Sequence, residues 1–179
     1  MDINFYVGLA GALILVTGAA WPVKKVKHPM KSTKNWLFAI GGGVMLTYSI
    51  LGYLAGGAVF FIFLQSLVVI ASVLMMLNTK EKISIPAIII SGIALIIWSL
   101  YLFEGYNTVF FIIGLTGVGL GYILKMGSIR RNVALMLGGL LIAIFSYIEM
   151  SWIFFWLNAF FAAFSAYYVV KLALVKKKS

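Results

Sequence analysis

Two carboxamides stand in stretches otherwise apolar enough to lie in lipid: Gln65 in "VFFIFLQSLVVIAS" (59–72) and Asn158 in "IFFWLNA" (153–159). A primary amide carries two N–H donors and a carbonyl acceptor. Moving it out of water without replacing those bonds costs roughly 2–7 kcal/mol. A chain keeps such a group in an apolar helix for one of two reasons. It serves as interhelical hydrogen-bond glue, worth about 0.6 kcal/mol on average, or it waits for a polar solute. Tyr48, Ser49 and Ser146 offer further polar contacts of the same kind, and Trp156 stands two residues before Asn158. Bond-making chemistry is not expected. There is no carboxylate pair, no His-rich metal set and no activated nucleophile, so neither catalysis nor a cofactor or metal is anticipated. No ionisable residue lies deep in an apolar run, which argues against proton or ion coupling. Recognition of a neutral polar solute is the chemistry that is left.

The elements that would position these groups are membrane helices. Hydrophobic residues make up 64% of the 179-residue chain and charged residues 10%, against about 25% charged in soluble domains. Mean hydropathy is +1.11. A span needs about 20 residues of helix, and seven runs qualify: 4–23, 35–54, 58–78, 85–103, 107–125, 132–149 and 151–174. They are continuously apolar, without the alternation of barrel strands. With seven spans, all 14 Lys and Arg residues fall on one side, in the clusters around 24–34, 80–82, 125–131 and 171–178. Asp2, Glu104 and Glu149 fall on the other. The positive-inside rule then puts the N-terminus outside and the C-terminus in the cytoplasm of a cell (plasma) membrane protein. The net charge of +10 is explained by topology and by contact of the basic tail with anionic lipid, so nucleic acid is not an expected partner. Asp2, with no Lys or Arg near it, argues against a cleavable signal peptide. The absence of Cys excludes disulfide and thiolate chemistry.

Sliding the chain along itself brings out a repeat. "KNWLFAIGGGVMLTYS" (34–49) lies over "RNVALMLGGLLIAIFS" (131–146), matching Asn35 to Asn132, Gly41 and Gly42 to Gly138 and Gly139, and Ser49 to Ser146. After a four-residue difference, "FFIFLQS" (60–66) lies over "IFFWLNA" (153–159), and Gln65 meets Asn158. Ser72 meets Ser165 in that register, and "GLAG" (8–11) lies over "GLTG" (114–117). The expected organisation is a first three-helix repeat at 1–82, a linker transmembrane helix at 83–105, and a second three-helix repeat with a basic tail at 106–179. Both repeats begin outside, so they run parallel, with the solute path at the repeat interface near the midplane. Gly41, Gly42, Gly43 and the pair Gly138 and Gly139 are read as close-packing positions, and the Trp residues mostly as interface anchors.

A 3+1+3 arrangement with a basic loop after the first helix resembles the PQ-loop superfamily of transporters, which includes the SWEET sugar facilitators. "AAWPVKKVKHPMKSTKNW" (19–36) carries Pro22 at the end of the first helix and a downstream Lys31–Ser32, as that family's loop does. The resemblance implies a facilitative transporter that works by alternating access. It assigns substrate contact to Gln65 and Asn158, in the third helix of each repeat, and a hinge role to Pro22. Val23 stands where the family's name-giving Gln would be, the second repeat has no Pro in its loop, and Met45 and Ile142 offer no aromatic platform for a sugar ring. The first half is also similar, through "VFFIFLQ" and "LMMLN", to a small membrane domain of lipid-A-related proteins.

The reading is thus an all-α polytopic membrane protein of seven transmembrane helices, two parallel three-helix repeats plus a linker helix. It would move a small neutral polar solute such as a sugar. Its partners would be that solute and membrane lipid, and a homo-oligomer is compatible with it. The rival classes are an ion channel and a non-transporting accessory protein of lipid or envelope metabolism.

Overall fold

The computed structural model describes residues 3–21, 28–125 and 127–177. Seven α-helices follow one another: α1 Ile3–Ala20, α2 Thr33–Leu54, α3 Phe60–Met76, α4 Glu81–Tyr101, α5 Tyr106–Ile123, α6 Ile129–Ile148 and α7 Trp152–Lys177. A 3-10 turn, Pro29–Lys31, precedes α2. Six of the helices are long and apolar enough to cross a membrane; α3 is the shorter one. Its 17 residues rise about 26 Å, at the low end of what a span requires. Each of the seven apolar runs in the sequence contains one helix, shifted at its ends by a few residues.

Local chemistry sets the boundaries. Ser32 caps α2, its Oγ accepting from the Asn35 backbone N–H at 3.4 Å, and Ser128 caps α6 by accepting from Arg131 N–H at 3.2 Å. These hydroxyls satisfy N–H groups that the first turn leaves orphaned. Beyond the end of α2, Gly56 takes φ +92°, a conformation that favours glycine. Asn78 (φ 52°) follows α3, where an Asn tolerates the left-handed region better than most residues.

The chain divides into two compact units, Met1–Ser91 and Gly92–Ser179, with the division inside α4. In the first unit α2 is the central helix, packed on α1 and on α3. In the second, α6 is central, packed on α5 and on α7. A pair of glycines on each central helix explains how two neighbours come so close. Successive residues of a helix point about 100° apart, so the pair serves both neighbours. A β-carbon placed on Gly41 would stand 2.8 Å from Leu15 of α1, and one on Gly42 would stand 3.4 Å from Val69 of α3. In the second unit Gly138 meets the α5 backbone at Val118 N, 2.6 Å from such a β-carbon, and Gly139 meets α7 at Asn158 O, 3.3 Å. Gly43, the third glycine of its run, has nothing within 4 Å. The packing reading holds for the pairs and does not extend to Gly43.

These contacts correct the register of the first helices. Gly11 packs on Met45 and Gly114 packs on Ile142; Gly41 meets Leu15 and Gly138 meets Val118. Met45 and Ile142 differ by 97 residues, whereas Gly11 and Gly114 differ by 103. The buried set Gly8, Gly11, Leu15 and Gly18 of α1 then maps onto Phe111, Gly114, Val118 and Gly121 of α5. Superposing "GLAG" on "GLTG" is therefore displaced by three residues. Glycines three apart lie on one face of a helix, so a slip of nearly one turn leaves the pattern almost unchanged, and packing partners are needed to fix it.

Candidate functional site

Gln65 and Asn158 are both buried, 2% and 7% exposed. On α3, Gly42 of α2 approaches Val68 and Val69. At about 100° per residue, Gln65 and Ser72 point in the direction between those two valines. They therefore lie along the middle of the α3 strip that faces α2. Asn158 takes the matching place on α7, where its backbone carbonyl and Ala162 lie against Gly139 of α6. Ser49 and Ser146 stand seven residues beyond Gly42 and Gly139, on the same strips. So each unit brings one serine of its central helix and one amide of its third helix to a common seam.

Tyr48 and Trp156 are directed elsewhere. Tyr48 follows Gly41 by two turns, on the strip of α2 that turns towards α1, and is half-buried. Trp156 points away from α6, 57% exposed, between Phe155 and Phe160 at ring-centroid distances of 5.1 and 6.1 Å. Pro22 lies outside the described residues.

Hydrogen bonding separates the two amides. Asn158 Nδ2 donates to the Phe154 carbonyl one turn back in α7, 2.8 Å away. Gln65 Oε1 is buried with no hydrogen-bond partner among the described residues, and so is Ser72 Oγ. Ser49 does not donate to Gln65, because its hydroxyl proton goes to Met45 O at 2.8 Å. Ser146 likewise donates to Ile142 O at 2.7 Å, leaving both serine oxygens with lone pairs to offer. A buried acceptor left without a donor costs about 1–3 kcal/mol. Glue needs a partner, and Gln65 Oε1 has none among the described residues. The unpaired oxygen is matched to a ligand that brings an O–H or N–H group.

Two further polar features were invisible as such in the sequence. Lys34 Nζ donates to Ala19 O and Trp21 O, 3.2 and 3.0 Å, at the end of α1. Arg131 Nε donates to Gly121 O in the last turn of α5, 3.0 Å. In each unit a base at the start of the central helix thus satisfies carbonyls that the end of the first helix leaves open, where a cation also suits the helix dipole. Only the separation of 97 hints at their common role. Glu149 accepts from Asn107 Nδ2 at 2.6 Å, tying the end of α6 to the start of α5. Among the described residues no group of His, Cys, Asp and Glu is arranged to hold a metal ion.

Six long apolar helices and buried amides define the class: an all-helical, membrane-embedded protein. Compared with protein-family models, curated proteins and solved structures, the chain matches none.

Proposed function

We propose that the protein is a facilitative transporter that moves a small neutral polar solute, such as a sugar, across the cell membrane by alternating access. The observation that carries this reading is the enclosed, unpartnered Oε1 of Gln65. Sites built from buried amides discriminate strongly, because a solute lacking the matching group leaves them unpaired. Ser49 supplies a second acceptor in the same seam, and Asn158 and Ser146 repeat the pair in the second unit. The shared 97-residue spacing of the glycine, serine and capping-base contacts supports two parallel three-helix repeats with α4 as the linker. Charged side chains stand at helix ends, so a neutral cargo fits better than an ion.

Flux tests the reading. Proteoliposomes holding the wild-type chain should take up a labelled sugar or polyol saturably, with competition by unlabelled solute. Gln65→Leu should lower that flux at least tenfold and Asn158→Leu should lower it less. Undiminished flux in both variants rules out the assignment of the amides; non-saturable ion current in its place identifies a channel.

The orientation, N-terminus outside and C-terminus in the cytoplasm, is tested separately. The chain has no Cys, so single cysteines report without background. An impermeant thiol reagent applied to intact cells should label Glu104→Cys and spare Lys125→Cys. Labelling in the reverse order overturns the orientation.

A further inference from the structure

We infer that Ser72 is a second solute-binding station, and that the solute is a neutral polyol long enough to touch Ser72 and Gln65 together. This rests on the transport reading above and adds to it a residue, a path and a ligand length.

The hydroxyl of Ser72 is set apart by its enclosure: those of Ser66, Ser91 and Ser165 likewise make no hydrogen bond among the described residues, but the fully enclosed one is that of Ser72. A serine or threonine inside a helix has a ready acceptor in the carbonyl four residues back. Thr17, Thr47, Ser49, Ser99, Thr116 and Ser146 all take it, at 2.7–3.1 Å. Ser72 does not: its Oγ has no partner among the described residues, although the residue is only 1% exposed. Forgoing a bond that the helix itself supplies leaves both a donor and acceptors free. The other unpartnered buried side-chain atom among the described residues is Gln65 Oε1, seven residues earlier on the same strip of α3.

Two unpaired groups on one strip make a track. Seven residues of helix rise about 10 Å, too far for one small alcohol and suited to the length of a disaccharide. The chemistry at the two ends is compatible with such a cargo. Gln65 Oε1 accepts from a hydroxyl, and Ser72 Oγ can donate to a hydroxyl or accept from one. Between them the strip carries Val68 and Val69, against which the C–H face of a sugar ring can lie. The seam is closed by Gly42 against Val69. A solute enters this seam only when α2 and α3 part, and Gly42 leaves no side chain in the way at the midpoint of the track.

The test compares ligand lengths in the purified full-length chain. Binding of sucrose, trehalose and maltose, and of glucose and glycerol, is measured by tryptophan fluorescence for the wild type, Ser72→Ala and Gln65→Leu. Ser72→Ala removes one atom and should weaken the preferred disaccharide about three- to tenfold, as loss of one neutral hydrogen bond does. Affinity for glucose should stay unchanged, because one ring reaches Gln65 alone. Gln65→Leu should weaken both. If Ser72→Ala binds the disaccharide as the wild type does, the second station is wrong and the hydroxyl is served by water only, while loss in Gln65→Leu keeps the transport reading. Equal weakening of glucose and disaccharide by Ser72→Ala overturns the length argument. If none of these solutes binds any variant and no flux is seen, the transport reading fails, and this inference falls with it.

Discussion

Gly138→Ala should destabilise the protein by about 3 kcal/mol, at the upper end of the usual cost of overpacking, while Gly43→Ala should cost nothing. A β-carbon on Gly138 would stand 2.6 Å from Val118 N, 2.9 Å from Gly114 O and 2.9 Å from Gly117 C. All three are backbone atoms of α5, so no rotamer change relieves the clash; the two helices must separate. Separation would in turn loosen Gly114 from Ile142 and Gly121 from Leu135, which share that interface. Gly41→Ala is the informative intermediate. Its nearest atoms, Leu15 Cγ at 2.8 Å and Ile14 Cγ2 at 3.0 Å, belong to side chains that can turn aside. Gly43 faces open space, and alanine is the better helix former by about 0.8–1.0 kcal/mol in water. Thermal unfolding in detergent, followed through the five Trp residues, should therefore rank the midpoints Gly43→Ala at or above wild type, then Gly41→Ala, then Gly138→Ala. About 2–4 °C per kcal/mol is expected for a chain of this size. A Gly138→Ala midpoint equal to that of Gly43→Ala would falsify the backbone-to-backbone crossing of α5 and α6.

What was legible in the sequence follows from how each property is encoded. Helix existence is written in long apolar runs, and all seven were found from hydropathy and charge alone. The amide pair was legible because a lone polar residue in an apolar run is rare. The glycine pairs were legible as packing positions, but their division of labour was not. Nothing in "GGG" says that Gly41 turns to α1, that Gly42 turns to α3 and that Gly43 faces open space; that depends on helix phase. The register of α1 against α5 was misread for a related reason, since glycines recurring every three residues disguise a slip. Ser72 escaped notice as a candidate. Its importance lies in a hydrogen bond that it does not make, and sequence reports which groups exist but not which are left unpaired. Lys34 and Arg131 were read as topology charges, and the carbonyls they satisfy belong to another helix.

Gln65→Leu and Asn158→Leu should move stability in opposite directions although they make the same chemical change at matched positions. Gln65 Oε1 is enclosed without a donor among the described residues, and replacing it by an apolar group of similar size removes a desolvation cost of about 1–3 kcal/mol. The ligand-free unfolding midpoint should rise by a few degrees, at about 2–4 °C per kcal/mol. Asn158 already donates to Phe154 O at 2.8 Å. Its replacement forfeits a bond worth about 0.5–1.5 kcal/mol net with no change of branching, so the midpoint should fall. The same Gln65→Leu variant that gains stability should lose solute binding, and that combination distinguishes a ligand group from a packing group. A residue kept only to hold helices together weakens the fold when removed. A residue kept unpaired for a ligand strengthens the empty fold when removed, because its cost is borne until the solute arrives. A lowered midpoint for Gln65→Leu would mean that the oxygen has a donor in the working protein, and the search for the solute-binding group would move to Asn158.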